Sequence, residues 1–230
     1  MRFSIFIITF FTWFGILAQQ REIDFDAVDS VYREDQFYVN VTYNALQNRP
    51  DGIKQNKLSP GFALGFLRDM PINNKRTFAI AAGLGYSMAI YNHNLGITIN
   101  NGINSYQVLD SNISYSKNKV TMHYIDVPIE FRWRNSTPES HIFWRVYSGV
   151  KMSYLFYDQY KSVSSLGTSK QLNNADYNQL NYGVYVTFGW NTWNFYAYYG
   201  LNSLLQSKAK IENQFIEMNT ANFGLMFYIL

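Results

Sequence analysis

The sequence predicts an all-β fold, an eight-stranded antiparallel transmembrane β-barrel of the outer membrane. Three observations predict it: apolar and polar residues alternate along most of the chain, short and long connections alternate, and aromatic residues are abundant. Aromatic residues make up 18% of the chain and charged residues only 15%. Because no segment after the first twenty or so residues is apolar for long enough to span a membrane as a helix, this composition favours membrane-spanning strands.

Residues 1 to 18 have the pattern of a secretory signal peptide. Arg2 supplies a positive charge, an apolar run covers residues 5 to 17, and Ala18 is the small residue at the expected cleavage point. The run is shorter than the roughly twenty residues that a spanning helix needs. Because the chain has no cysteine, we expect neither a lipoprotein anchor nor a disulfide nor a thiolate metal site.

Residues 19 to 35 form an acidic segment that follows the predicted signal peptide. It holds six acidic and two basic residues, with apolar residues between them. Two interpretations are open: a periplasmic segment that becomes ordered when it binds a partner, or a solvated leader. In the first interpretation, the docking residues are Glu22, Asp24, Asp26 and Asp29.

Residues 36 to 230 form the predicted barrel domain. The alternation predicts eight strands, at residues 36 to 46, 58 to 69, 76 to 92, 119 to 134, 140 to 160, 178 to 191, 193 to 207 and 213 to 230. An even number of antiparallel strands can close into a barrel, and closure leaves no unpaired backbone edge in lipid.

The fourth and fifth predicted strands place charged residues on the face opposite their apolar residues. Between His123 and Trp133 every second residue is suited to lipid, and the positions between them are suited to a polar interior. The predicted lumenal charge network consists of Asp126, Glu130, Arg132, Arg134, Arg145 and Lys151. Because eight strands enclose a space that side chains can fill, we expect a salt-bridged plug, with a proton or ion path as the alternative.

Two further features of the predicted wall concern backbone and side-chain size. Pro128 lies in mid-strand, where it cannot donate a ladder hydrogen bond, and so predicts a bulge or a local irregularity. On the third strand the inward residues are small and leave room for longer neighbours: Ala79, Ala81, Gly83, Gly85 and Ser87.

The connections give the barrel a direction. Short turns are predicted at residues 70 to 75, 135 to 139 and 191 to 192, and longer polar loops at residues 47 to 57, 95 to 118, 161 to 177 and 208 to 212. Outer-membrane barrels have short periplasmic turns and longer extracellular loops, so we expect both termini in the periplasm. The predicted periplasmic aromatic girdle is Trp133, Trp144, Trp190 and Trp193, each beside a short turn.

Three stretches carry a resemblance to a known family: residues 65 to 84 (GFLRDMPINNKRTFAIAAGL), 124 to 134 (YIDVPIEFRWR) and 190 to 200 (WNTWNFYAYYG). They resemble the PorT-type outer-membrane barrels of Bacteroidota, in which a strand of the pattern Tyr-apolar-acidic-apolar-Pro-apolar precedes a short turn. The resemblance implies a small non-catalytic barrel. It also implies a link to the type IX secretion and gliding machinery, which the members that give the family its name serve.

Other function classes receive little support from the residues. The net charge of +3 is spread along the chain, which argues against nucleic-acid binding. Catalysis needs a nucleophile, a base and an orienting carboxylate, and the one candidate is His123 with Ser114 or Ser116. No two histidines have metal-ligand spacing, so we expect no metal and no cofactor.

We therefore expect a non-enzymatic accessory or scaffold subunit of a multiprotein outer-membrane machine, such as the type IX secretion and gliding system or the barrel-assembly complex. Its expected partners are the lipid bilayer and other envelope proteins. The alternatives are a stand-alone structural or adhesive barrel and, with less support, an enzyme that modifies lipid A.

Overall fold

Strands dominate the structure, which is a computed structural model. It describes residues 35 to 229 except residues 56, 101–102, 110–112, 136–143, 166 and 213. No helix in this part of the chain is long and apolar enough to cross a membrane. The strands are β1 (Gln36–Gln47), β2 (Pro60–Pro71), β3 (Phe78–Asn92), β4 (Leu95–Asn100), β5 (Ile103–Val108), β6 (Tyr115–Arg134), β7 (Trp144–Ser164), β8 (Gly167–Leu172), β9 (Leu180–Trp190), β10 (Trp193–Gly200), β11 (Lys210–Ile211), β12 (Gln214–Phe215) and β13 (Asn219–Ile229).

Eight of these strands form a closed antiparallel barrel. Their order is β6-β3-β2-β1-β13-β10-β9-β7, and pairing between β7 and β6 closes the ring. The first and last wall strands pair along their whole length, from Phe37 opposite Ile229 to Gln47 opposite Asn219. Backbone groups in hydrocarbon must find partners within the sheet, and a closed ring meets that requirement. The predicted all-β, eight-stranded antiparallel barrel is confirmed.

The loop between β10 and β13 is longer than the sequence pattern predicted. The predicted strand at residues 193 to 207 ends at Gly200, and the one at residues 213 to 230 begins at Asn219. The cause is the Asn202 side chain, which donates to the Leu180 carbonyl at 3.0 Å and accepts from the Tyr182 amide at 2.9 Å. Because this side chain takes the backbone groups that a continuing β10 would use, the ladder ends there.

The predicted polar loops contain strands of their own. Residues 95 to 118 hold the β4–β5 hairpin, in which Leu95 lies opposite Val108. Farther along, β6 begins at Tyr115 and β7 continues to Ser164, where it pairs with β8. The barrel therefore has a short-turn end, with the β2–β3 and β9–β10 turns, and a long-loop end, where the wall continues into these extra strands.

The outer face of the wall is apolar and the inner face is polar. The pattern is clearest in β9, where exposed and buried residues alternate without exception. Its exposed residues are Leu180, Tyr182, Val184, Val186, Phe188 and Trp190. Soluble domains bury such residues and expose polar ones, so this outer face is suited to lipid.

The height of the apolar face matches a membrane. The distance along β6 from Trp133 to His123 is ten residue steps (133 − 123), or about 33 Å of strand. At a strand tilt of 35–45° this corresponds to about 25 Å along the barrel axis, the height of the apolar band of outer-membrane barrels. We call the outer surface between these two levels the lipid belt.

Irregularities in the wall lie near Pro128 and at a bulge elsewhere. Pro128 pairs with Lys151 without a register shift, but the β3–β6 pairing is interrupted beside it and resumes in the same register at Asp126. Two register shifts lie farther along β6: one where His123 and Tyr124 face Tyr157 and Leu155, and one between Tyr115 and Lys117. Pro128 therefore marks a local irregularity, because it has no N–H to donate, and the bulge opposite Tyr124 is in β7.

Candidate functional site

The lumen near the short-turn end is filled by a buried ion-pair cluster centred on Asp69. Arg134 donates to both Asp69 carboxylate oxygens, at 3.0 and 2.9 Å, and Arg132 Nη1 donates to Oδ1 at 2.9 Å. Arg132 Nε also donates to Glu130 at 2.8 Å, and Glu130 accepts from the Tyr185 hydroxyl at 2.8 Å. The side chains of both arginines, Asp69 and Glu130 are fully buried. Bidentate, charge-assisted bonds of this kind fix the geometry of the whole cluster.

Aromatic rings complete the packing of this cluster. The Arg132 guanidinium lies 4.8 Å from the centroid of the Tyr147 ring. Arg145 lies 5.7 Å from the Tyr228 ring and donates to the Asn191 carbonyl at 3.1 Å. Cations over aromatic faces are stabilised by the ring quadrupole, more so where water is excluded.

A second polar cluster occupies the middle of the lumen. Lys151 Nζ lies 3.5 Å from an Asp126 oxygen and 4.5 Å from the centroid of the Tyr198 ring. Two small cavities flank it, of about 20 and about 50 Å³. Both are lined by Asn40, whose buried side-chain oxygen has no hydrogen-bond partner among the described residues. Since a water molecule needs roughly 10–15 Å³ of such space, the smaller cavity has room for one water and the larger for a few.

The structure places all six predicted network residues on the lumenal face, where they contribute to two ion-pair clusters and to ring contacts. Glu130, Arg132 and Arg134 belong to the Asp69 cluster, and Asp126 and Lys151 form the other ion pair. Arg145 lies against Tyr228 and Asn191.

Sequence reasoning missed Asp69, the residue that joins Arg132 to Arg134. A signal for it was present in the sequence, because Asp69 lies on the parity of β2 opposite that of Phe62, Leu64 and Phe66. With Asp69 included, the two ion-pair clusters and Arg145 contain three acidic and four basic described side chains: Asp69, Asp126 and Glu130 with Arg132, Arg134, Arg145 and Lys151.

The four predicted girdle tryptophans lie on the outer face at the short-turn end. Trp133, Trp144, Trp190 and Trp193 are 38 to 59% exposed. The ring centroids of Trp144 and Trp190 are 6.2 Å apart. At the opposite edge of the lipid belt, His123 contacts a second aromatic group, which consists of Tyr86, Phe156 and Tyr157.

The predicted docking residues Glu22, Asp24, Asp26 and Asp29 lie outside the described residues. Asp35, at the end of that segment, is described. Its carboxylate pairs with Arg68 at 3.1 Å and accepts the Asp69 amide at 2.8 Å. The chain that enters β1 is thus attached to the strand that carries Asp69.

The structure does not bring the one candidate catalytic set together. His123 Nδ1 is hydrogen-bonded to the Tyr86 hydroxyl at 2.6 Å. Ser116 is seven residues away on the same strand, about 23 Å along it, and Ser114 is farther. His141 lies outside the described residues. Within the described ranges, no group of three or more His, Asp or Glu side chains is suited to hold a metal.

The long loops pack into a hydrophobic core of their own, which we call the cap. All four loops contribute to it, and it is continuous with apolar side chains at the inner rim of the wall. Its loop residues are Ile53, Leu95, Ile97, Tyr106, Tyr177, Leu204, Leu205, Ala209, Ile216 and Met218. Because they pack against one another and the rim, the cap closes the lumen at this end.

Buried polar groups fix the cap loops to each other. Asp176 accepts from Tyr106 at 2.8 Å and from Asn104 at 3.0 Å, and pairs with Lys208 at 3.1 Å. Burial opposes ionisation of Asp176, but these donors outweigh it and lower its pKa below the usual value. His93 Nδ1 accepts the Leu95 amide at 3.2 Å, and burial lowers the pKa of His93 to about 4.

A closed eight-stranded barrel with an apolar outer face and a filled polar lumen belongs to the class of membrane-spanning outer-membrane barrels. Consistent with this, the sequence pattern of the family described as "Outer membrane protein beta-barrel domain" matches residues 17–206. The chain therefore belongs to that family and is an integral outer-membrane protein. The match does not identify the PorT-type barrels specifically, so the PorT-type relationship stays a prediction.

Matches among solved structures have low identity and low TM-scores. The attachment invasion locus protein Ail of Yersinia pestis is 15% identical, with a TM-score of 0.43, and the match covers 85% of this chain and 97% of that chain. Ail in complex with the heparin analogue sucrose octasulfate is 14% identical, with a TM-score of 0.41, and the match covers 84% of this chain and 96% of that chain. A mutant Rh. blastica porin is 9% identical, with a TM-score of 0.22, and the match covers 86% of this chain and 100% of that chain. No curated protein matches the chain.

Replacing Asp69 by asparagine should strongly destabilise the barrel. The change removes the carboxylate that pairs with Arg132 and Arg134, and it leaves buried guanidinium charge without its main counter-charge. We expect the free energy of unfolding to fall by about 3–5 kcal/mol, measured by urea denaturation of the barrel in detergent. The matched control is Asp35→Asn, whose partner Arg68 is 55% exposed, and it should cost less than about 1 kcal/mol. Equal losses in the two variants would contradict this view of the lumen.

The cap should loosen as the pH falls from 6.5 towards 4. His93 has a pKa of about 6.5 in an unfolded cap and of about 4 in the folded cap. The contribution of neutral His93 to cap stability is therefore fully present above pH 6.5 and decreases as the pH falls below it. Limited proteolysis of the intact barrel should therefore be faster at pH 5 than at pH 7.5. His93→Asn can still accept the Leu95 amide in an Asx turn and does not titrate, so it should lessen the difference. An unchanged pH dependence in that variant would assign the effect to another group.

Proposed function

We propose that this chain is a non-enzymatic, non-conducting barrel that acts as an accessory or scaffold subunit of a larger outer-membrane complex. The observation that supports it is the filled lumen. Buried ion pairs occupy the short-turn end, the two cavities beside Lys151 measure about 20 and about 50 Å³, and the cap covers the long-loop end. Because the described side chains fill most of the lumen, we assign the function to the outer surfaces.

In this proposal the short turns face the periplasm and the cap faces the outside. The length asymmetry of the connections supports that orientation, since periplasmic turns of outer-membrane barrels are short. The tryptophans at the short-turn end then lie at the periplasmic interface. The acidic segment that precedes β1 would enter the barrel from the periplasm, where envelope partners are available.

The cap offers a surface for a protein partner. The β4–β5 hairpin exposes Ile99 and Ile103, at 54 and 73%, beyond the lipid belt. The two isoleucines lie near the hairpin tip on its opposite faces, and large apolar side chains exposed to water in this way occur at protein contact sites. The resemblance to PorT-type barrels favours the type IX secretion and gliding machinery as the complex, with the barrel-assembly complex as a further candidate.

A stand-alone structural or adhesive barrel is the second candidate. Its support is the cap itself, because loops with a shared hydrophobic core would present a rigid surface to molecules outside the cell. An enzyme that modifies lipid A has less support, since His123 is about 23 Å along β6 from Ser116.

Purification of the tagged chain from mildly solubilised outer membranes tests the accessory role. We expect a stoichiometric complex by native mass measurement, and Ile99→Asn with Ile103→Asn should reduce co-elution of the partner at least about tenfold. The matched control changes two exposed leucines elsewhere, Leu58→Asn with Leu201→Asn, and should retain the partner. A lone monomer from every variant would instead support the stand-alone barrel.

Labelling of intact cells tests the orientation, because the chain has no native cysteine. A membrane-impermeant maleimide should react with Leu58→Cys at the long-loop end. It should leave Lys75→Cys, in the β2–β3 turn, unlabelled until the outer membrane is opened. The reverse pattern would place the cap in the periplasm.

A further inference from the structure

A small sheet continues the wall past the lipid belt at the long-loop end. It is formed by the start of β6, the end of β7, and β8, which pairs with β7 alone. One face of this sheet is buried towards the cap by Asn118, Tyr160, Ser162 and Gln171. The residues between them therefore lie on the outer face, in line with the lipid-facing wall below.

Three lysines lie side by side on that outer face. Lys119 is directly opposite Lys161, and Lys161 is directly opposite Lys170. Lys117 lies on the same face, one row farther from the membrane, opposite Val163. We call these four residues the lysine row.

The lysine row is unneutralised within the described part of the protein. None of its members forms an ion pair with a described residue, whereas Lys151 and Lys208 both do. The sheet segments at residues 115–121, 159–164 and 167–172 contain no aspartate or glutamate at all. Like charges directly opposite on neighbouring strands destabilise a sheet, so the row is unfavourable unless an anion binds it.

The height of the row identifies its surroundings. Lys119 is four residue steps (123 − 119) beyond His123, the upper edge of the lipid belt, which is about 13 Å of strand and about 10 Å along the axis. The head-group region extends roughly 5–8 Å beyond the hydrocarbon on each side. Lysine side chains can reach back towards the membrane over several ångströms, so their ammonium groups reach the head groups.

The outer surface below the row is suited to the rest of a lipid. The next row towards the membrane is Thr121, Gln159 and Leu172, in which the first two supply hydrogen-bonding groups. Below them lie Phe156 and Tyr157, at the edge of the lipid belt. From the lysine row towards the membrane, the surface is therefore first charged, then polar, then apolar. The phosphates, sugars and acyl chains of a phosphorylated glycolipid would contact these three surfaces in the same order.

We propose that the lysine row binds the phosphorylated head group of an outer-leaflet glycolipid of the lipid A type. The proposal rests on the orientation given under the proposed function, with the cap outside. The lysines neutralise the phosphates, and the apolar wall below them contacts the acyl chains. A soluble polyanion would contact only the lysines and not the apolar wall, so a lipid fits the surface better.

The test is a native mass titration of the full chain in detergent with bisphosphorylated lipid A, and with the same lipid after its phosphates are removed. We expect clear preference for the phosphorylated form. Lys119→Gln, Lys161→Gln and Lys170→Gln together should weaken its binding at least about tenfold, since each lysine near an anionic surface contributes substantially. The matched control removes three exposed positive charges elsewhere at the same end: Arg49→Gln, Lys54→Gln and Lys210→Gln.

Several outcomes would overturn the proposal. They are equal weakening in the control triple variant, equal binding of the dephosphorylated lipid, and complete displacement of lipid A by an equal concentration of inorganic pyrophosphate. Circular dichroism of each variant shows whether it folds, and the single variant Lys161→Gln, which removes the middle charge, should give an intermediate loss. Binding in detergent does not depend on orientation, so this titration tests the lysine row separately from the proposed function. A reversed cell-labelling pattern would overturn the assignment to an outer-leaflet lipid.

Discussion

The structure depends on one constraint, which is that every backbone polar group in the lipid belt must be paired inside the sheet. Pairing of β1 with β13 closes the ring and meets the constraint. Closure with eight strands also fixes a narrow interior, and side chains must fill it. Outward apolar residues follow from the lipid, and inward polar residues follow from the need to occupy that interior with groups that bind one another. The ion pairs of Asp69 with Arg132 and Arg134 satisfy that need where water is excluded.

The bulge in β7 connects the lumen to the cap. Leu155 faces inward with Ser153, but after the extra residue the inward positions become Asp158, Tyr160 and Ser162. This change of parity turns polar and aromatic groups towards the loops, where Asp158 accepts the Asn174 amide at 3.1 Å. The same change places Lys161 on the outer face. One inserted residue therefore determines both the closure of the cap and the charge presented above the membrane.

Features that depend on residues close together in the sequence could be predicted, and features that depend on contacts between distant strands could not. Alternation is a property of single strands, so the wall and the lumenal facing of Asp126 to Lys151 could be predicted. The choice of partners is not local: Asp69 meets Arg132 and Arg134 only because β2 and β6 both flank β3. The cap was missed because its residues are scattered through polar loops, and the early end of β10 depends on a single side chain, Asn202. Lys119, Lys161 and Lys170 are likewise far apart in the chain and form a row only through strand register.

The two ends of the barrel differ in a way that bears on function. The short-turn end is closed by buried charge and rimmed by tryptophan, an arrangement that holds a barrel at a fixed depth in the membrane. The long-loop end has a second hydrophobic core, exposed apolar side chains on a hairpin and an unneutralised lysine row. Exposed apolar side chains and unneutralised charges are suited to binding. The long-loop end is therefore the part of the molecule on which a search for partners should concentrate, with a protein at the hairpin and a lipid at the lysine row.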